Sequence, residues 1–305
     1  MLTGILPVLC TPFGSDGSVD AAALARLVRF VLASGAHGLV FPGFASEVDE
    51  LTADERLALL KVVVNEAGGR VPVVAGASSA STDDVIARCR EALALGIDHA
   101  MIQAPKSIGA DAAAVSRFYG EIARALPEVT IILQNAPMPR GSDLSAASIL
   151  TVLRDNPTIR YVKEETLPAG PSISALVSAS APNLLGVIGG GGARYLIEEL
   201  HRGAIAAMPA AEFTDVHVQL YAAWTAGDEA LARTLYERLL PLLVIQAFSR
   251  MRFTKHVLAR RAILSNDIVR AKIPPFDGRD IAEIDALLGR IADLLGAAPL
   301  ARMAA

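Results

Sequence analysis

Ile159-Arg160-Tyr161-Val162-Lys163-Glu164-Glu165-Thr166 is a short apolar run that stops at a lysine and two acids. Residues 160–163 read as a strand, because aromatic and β-branched side chains suit a pleated, half-buried surface. Segments of helical period flank it, residues 145–154 before and 171–180 after. The same alternation extends outward in both directions. Strand-like runs occupy residues 6–10, 38–41, 71–75, 99–103, 130–133, 184–188 and 204–208, which with 160–163 makes eight. Several are continuous rather than alternating, as parallel strands covered on both faces require. Helices are expected over 21–33, 53–67, 83–95, 111–126 and 192–202, besides the two already given. Their starts carry Ser, Thr or Asp and their ends Gly, and Thr52 with Glu55 forms a capping box.

Eight strands, each followed by a helix, predict an α/β fold: a (β/α)8 TIM barrel over residues 1–225. A doubly wound open sheet is the alternative, but it does not call for eight units. Helical segments at 210–226, 229–248, 253–264 and 281–295 follow the last strand. The first covers that strand. The others are read as a C-terminal helical extension, residues 226–305, packed on the barrel. The run Ile273-Pro274-Pro275-Phe276 is a loop, and residues 297–305 are expected to fray.

The chain has 305 residues, 52% hydrophobic and 20% charged, enough for a large core. A net charge of −4 gives no basic footprint, so nucleic acid is not an expected partner. No apolar run approaches the roughly 18 residues that a membrane span needs, so no membrane partner is expected either. The N-terminus has neither the basic flank nor the apolar stretch of a signal peptide. With only Cys10 and Cys89, a reducing cytoplasmic location is expected. Cys10, inside an apolar run, reads as a small core residue. The five histidines show no paired ligand spacing, so no metal is expected, nor any other cofactor. No Gly-x-Ser-x-Gly elbow is present.

In such a barrel the chemistry sits at the C-terminal ends of the strands, where three places stand out. Lys163 ends the sixth strand, and it is one of only five lysines. An amine facing the interior is desolvated, which favours its neutral, nucleophilic form. A neutral amine can attack a ketone and give an iminium, an electron sink. From position alone, a lysine that merely reaches water from a strand end is the commoner case. Gly43-Phe44-Ala45-Ser46-Glu47 follows the second strand. Backbone N–H groups at Gly43 and Ala45, with the Ser46 hydroxyl, suit a carboxylate. A simple turn before Thr52 explains the same residues. Gly189-Gly190-Gly191-Gly192 follows the seventh strand. Gly189 and Gly190 would let a ligand approach the backbone, although a flexible turn reads the same way.

Together these segments resemble the dihydrodipicolinate synthase and N-acetylneuraminate lyase superfamily of class I aldolases. The resemblance runs from about residue 3 to about residue 264. It rests on Gly4-Ile5-Leu6-Pro7 through Phe13, on residues 43–47 with Leu51-Thr52-Ala53-Asp54-Glu55-Arg56, on Gln134-Asn135-Ala136-Pro137, and on Tyr161-Val162-Lys163-Glu164. It implies a (β/α)8 barrel in a homotetramer or homodimer, with Trp224 and the helices after it available for an interface. It also implies that Lys163 is the Schiff-base lysine. Relatives that make dihydrodipicolinate or cleave sialic acid carry a tyrosine where this chain has Gln134. Their threonine pair is replaced here by Phe44 and Ala45, and an aromatic pair by Lys106 and Ser107. The usual proton relay is therefore absent, which argues against a lysine-biosynthetic role. The pattern is most similar to the L-2-keto-3-deoxyarabonate dehydratase branch, at residues 44–47, 134–137 and 163–166. The segment Met138-Pro139-Arg140-Gly141 differs from that branch, which leaves open whether Arg140 reaches substrate.

The resemblance implies a lyase that dehydrates a 2-keto-3-deoxy sugar acid. The substrate carboxylate would bind at Gly43, Ala45 and Ser46, with Asn135, Gly189 and Gly190 also lining the site. Lys163 would form the imine at C2, and a base would take a C3 proton so that the C4 hydroxyl leaves. Glu47 is the first candidate for that base, with Gln134-bound water and Ser46 as others. A pyruvate-type aldolase and a non-catalytic keto-acid-binding barrel are the competing readings.

Overall fold

A computed structural model describes residues 1–296 together with Ala298 and Leu300. The expected frayed segment, residues 297–305, otherwise lies outside the described residues. The fold class is a (β/α)8 barrel with C-terminal helices. Eight strands alternate with helices along the chain, as β1(Gly4–Ile5), α1(Ala21–Ala33), β2(Leu39–Val40), α2(Ala53–Ala67), β3(Val73–Gly76), α3(Thr82–Ala94), β4(His99–Ile102), α4(Ala112–Ala125), β5(Thr130–Asn135), α5(Ala146–Asp155), β6(Ile159–Glu164), α6(Ala169–Ser178), β7(Gly186–Gly189), α7(Leu196–His201), β8(Ala206–Ala207) and α8(Thr214–Thr225). Three more helices follow, α9(Glu229–Phe248), α10(Arg250–Arg260) and α11(Gly278–Arg290).

By contacts the chain divides into two compact units. The first holds residues 1–3, 72–191 and 195–207. Its strands β3 to β8 pair in sequence order, all parallel. Ile131, Leu133, Val162 and Val187 point from the strands into a core shared with Val115, Ile122, Ile149, Ile173 and Leu176 of the helices. The period of two then sends alternate residues to the opposite face. Along β6 that inner row reads Tyr161, Lys163 and, one step past the strand, Glu165. The Tyr161 hydroxyl accepts the Leu2 N–H at 3.0 Å, anchoring the other end of the row.

The second unit holds residues 4–71, 192–194 and 208–305. Residues 6–10 are not the regular strand that their apolar run suggests. Proline at position 7 has no N–H to give a ladder. Val8 nevertheless bridges both Val40 and Ala210 in parallel fashion, and Val8 N–H donates to the Pro209 carbonyl at 2.7 Å. Cys10 is fully buried, and burial pushes its thiol up to about 12. The capping box of α2 forms as expected, with Glu55 N–H on the Thr52 hydroxyl and Thr52 N–H on the Glu55 carboxylate. The core of α8 to α11 is built from Phe213, Leu239, Leu243, Phe253, Val257, Ile284 and Leu288.

Helix α9 matches the expected segment residue for residue, whereas α7 is much shorter than its expectation of 192–202. Gly192 and Ala193 both have positive φ, 74° and 63°, and that left-handed backbone delays the helix until Leu196.

Candidate active site

Lys163 is the centre of the polar group in the first unit. The β5–β6 register sets Gln134 beside Lys163 and Asn135 beside Glu164. Alternation therefore sorts the four residues into two pairs on opposite faces. On the inner face, the buried Lys163 amine lies 3.4 Å from Glu165 Oε2. Gln134 Nε2 donates to the same oxygen at 2.6 Å, and an Arg140 guanidinium nitrogen stands 3.4 Å from it. Gly191 N–H points at the other carboxylate oxygen from 3.4 Å. The Arg140 loop is itself held, since Gln103 Nε2 donates to the Arg140 carbonyl at 2.6 Å. A lysine, a carboxylate, an arginine and an amide thus converge where β5 and β6 end.

The outer face is scaffold. Glu164 is fully buried and accepts from Asn135, from Thr166 N–H and Oγ1, and from Ser172 Oγ, at 2.6 to 3.2 Å. Asn135 also exchanges two hydrogen bonds with the Leu144 backbone, at 2.8 and 2.9 Å. Its amide is fully engaged away from Lys163. The expected ligand contact at Asn135 therefore gives way to the job of pinning the segment that leads into α5.

Gly189 and Gly190 stand beside this group for a steric reason. A Cβ on Gly190 would meet Glu165 Cγ at 2.3 Å, and one on Gly189 would meet Glu199 Oε2 at 2.0 Å. Both lie well inside van der Waals contact, so the missing side chains make room for two glutamates. The expectation of open backbone facing a ligand is replaced by backbone packed against carboxyl groups.

The second unit holds Gly43, Ala45, Ser46 and Glu47. Residues Phe44–Ser46 form a single 3-10 turn in which Ala45 and Ser46 are buried. Ser46 Oγ accepts Gly43 N–H at 2.8 Å and donates to the Leu9 carbonyl. Ser46 N–H returns to the Gly43 carbonyl at 2.9 Å, and Thr11 Oγ1 donates to the Ser46 carbonyl at 2.7 Å. The N–H groups of Gly43, Ser46 and Glu47 are thus engaged within the turn. Glu47 is buried with left-handed backbone, φ 55°. One carboxylate oxygen accepts Lys255 Nζ at 2.5 Å, and the other accepts the N–H groups of Arg270 and Ala271 at 2.7 Å each. Lys255 also donates to the Ile268 carbonyl at 2.7 Å and lies 4.0 Å from the Phe13 ring centroid. Burial lowers the Lys255 pKa against the pull of its anionic neighbours. Glu47 thus anchors the 268–271 segment, and its carboxylate contacts lie with Lys255 and that segment.

Sequence reasoning missed Glu165. The signal was available, because residues two apart at a strand end share a face, so a lysine followed by x-Glu is a candidate pair. Among the described residues no group of three or more His, Cys, Asp or Glu side chains is placed to hold a metal ion. No helix among them is long and apolar enough to cross a membrane.

Residues 1–288 match the dihydrodipicolinate synthetase family. The chain belongs to that family. It is 30% identical over 298 residues to L-2-keto-3-deoxyarabonate dehydratase of Azospirillum brasilense, covering 96% of this chain and 95% of the relative. It is 28% identical over 247 residues to a probable 2-dehydro-3-deoxy-D-pentonate aldolase of Escherichia coli K12, covering 80% and 82%. The crystal structure of dihydrodipicolinate synthase from Rhodopseudomonas palustris superposes with a TM-score of 0.87 at 25% identity, over 95% of this chain and 97% of that one. A lyase of the dihydrodipicolinate synthetase family therefore carries the Lys163 group on the barrel expected from its sequence.

Proposed function

We propose that the protein dehydrates a 2-keto-3-deoxy sugar acid through a Schiff base on Lys163, with Glu165 as proton carrier. The observation that carries this reading is the Glu165 carboxylate 3.4 Å from the Lys163 amine, on the same face as Gln134 rather than a tyrosine. The similarity to the Azospirillum dehydratase over nearly the full length of both chains supports the same choice.

The chemistry follows from the pair. Glu165 accepts a proton from the Lys163 ammonium, leaving a neutral amine to attack the C2 carbonyl. The same proton goes to the carbinolamine oxygen, which departs as water and leaves an iminium. The iminium acidifies C3. Glu165, again a carboxylate, removes a C3 proton and hands it to the C4 hydroxyl as the enamine expels it. One residue thus takes and returns each proton, and the net change is loss of one water. Hydrolysis of the unsaturated imine frees the keto acid and restores Lys163. Gln134 and Arg140 fix the carboxylate oxygen that does this work, so the acid need not reorient between steps.

Aldol cleavage is the second reading, favoured by the similarity to the Escherichia coli aldolase. It needs the same imine, but with the proton taken from the C4 hydroxyl. The test has two stages. Incubation with a 2-keto-3-deoxy pentonate and borohydride should add the mass of the reduced adduct to the wild type and none to Lys163→Ala. Loss of a water from substrate without pyruvate release then selects dehydration. Absence of any adduct would remove both lyase readings and leave a keto-acid-binding barrel.

A further inference from the structure

Glu199 is a buried acid for which the mechanism above has no use. It lies on the inner face of α7 with Leu196, Ile197 and Leu200, at a spacing where an apolar residue is the rule. Only 1% of it is exposed, and its Oε2 has no hydrogen-bond partner. The carboxyl occupies the space that a Gly189 side chain would fill, and it accepts the Gly190 N–H. One residue on, the strip turns its other face to Glu165. The Glu165 Cγ fills the space over Gly190, and Gly191 N–H points at Glu165 Oε1. The backbone 189–191 is therefore clasped between two glutamates, one in front and one behind.

We propose that Glu199 is a positioning residue for Glu165, acting through the glycine strip 189–191. This rests on the reading of Lys163 and Glu165 as the reacting pair. By holding the Gly190 amide from behind, Glu199 fixes the wall against which Glu165 packs, and so the reach of Glu165 toward Lys163. Glu164, on the outer face of β6 and paired in register with Gly189, completes the group. The two outer-face acids have contrasting surroundings, since Glu164 has four donor groups around it whereas Glu199 has one backbone amide. Burial first, then the neighbouring charge of Glu165, raises the Glu199 pKa to about 8. The charged groups that face it are Glu165 and Glu164 from β6 and the turn after it, and Glu198 on its own helix. Glu198 is paired with Arg202 at 2.8 Å. Helix α6, which packs on α7, and strands β7 and β8 bring no charged side chain.

The linkage has a direction. At neutral pH the uncharged acid holds the strip without repelling Glu165. As it ionises above pH 8, a second negative charge appears behind Glu165, and both the Glu165 proton and the Lys163 ammonium are held more tightly. Imine formation slows. Glu199→Gln keeps the length and an acceptor for Gly190 but cannot ionise.

The experiment follows imine formation with pyruvate as probe, by borohydride trapping and mass measurement from pH 6 to 9.5, in the wild type and in Glu199→Gln. The ratio of wild-type to variant rate should be flat below pH 7. It should then fall about three- to tenfold by pH 9.5, the effect of one-half to one unit in a neighbouring pKa. A ratio independent of pH overturns the proposal. Should Glu199→Gln fail to fold, Glu199→Met keeps a similar length and likewise cannot ionise, and its ratio must show the same dependence or the proposal is again overturned. A wild type that traps no pyruvate overturns the Lys163 reading itself, and this proposal with it, before any variant is compared.

Discussion

Lys163 is set apart from the other lysines by what its neighbours do to each other. Glu165 Oε2 is approached by three donors, from Lys163, Gln134 and Arg140. A carboxylate so placed is fixed in space, and positioning is most of what a proton carrier supplies. Glu165→Gln keeps the shape and the Gln134 contact while removing the proton site. It should slow formation of the borohydride-trappable adduct as well as turnover, the latter by about 10²- to 10⁴-fold, the usual contribution of a positioned acid–base group. Turnover within threefold of wild type would return the role to another group. Gln134 marks the same point from the other side. Its amide donates to the same Glu165 oxygen at 2.6 Å, and under the proposed mechanism the proton traffic runs through Glu165.

Strand β6 works as an element because its two faces have different tasks. Lys163 and Glu165 face one way, while Glu164 faces the other and ties together Asn135, Thr166 and Ser172. A comparable division exists in the second unit, where Glu47 joins the turn after β2 to α10 and to residues 268–271. A buried ion pair is weak evidence for stability, but removing one partner leaves a buried charge unmatched. Lys255→Met should therefore destabilise the protein by about 3–5 kcal/mol, because Glu47 keeps two backbone donors but loses its counter-charge. Denaturant unfolding would measure this. The double variant Lys255→Met with Glu47→Leu should recover most of the loss. If the double variant is as unstable as the single one, the pair is not the source of the effect.

At the scale of the whole molecule, the buried ionisable groups set how stability varies with pH. His217 is 1% exposed, and neither ring nitrogen has a hydrogen-bond partner. Burial lowers its pKa from 6.5 to about 4. Between those values the unfolded chain binds a proton that the folded one does not, so stability falls as pH drops from 6.5 toward 4. Replacing it by an apolar residue, His217→Leu, should change the melting temperature little at pH 7.5 and raise it relative to wild type at pH 5. Equal shifts at both values would show that the ring does not titrate in this window.

The order of eight strands and their helices was legible in the sequence, because a parallel strand covered on both faces must be short and continuously apolar, and the helices between must carry a 3.6-residue period. Capping chemistry at Thr52 and the end of β6 at a lysine were equally local, and local rules can be read along the chain. The partners of each polar group were not. Glu47, Ser46, Asn135 and the glycines at 189–190 all had the composition of a ligand site, yet their hydrogen bonds and close contacts go to residues such as Lys255, Leu9, Leu144 and Glu199. Such pairings depend on which strands lie side by side and on which face each residue emerges. That depends on register, and register follows from packing the whole sheet.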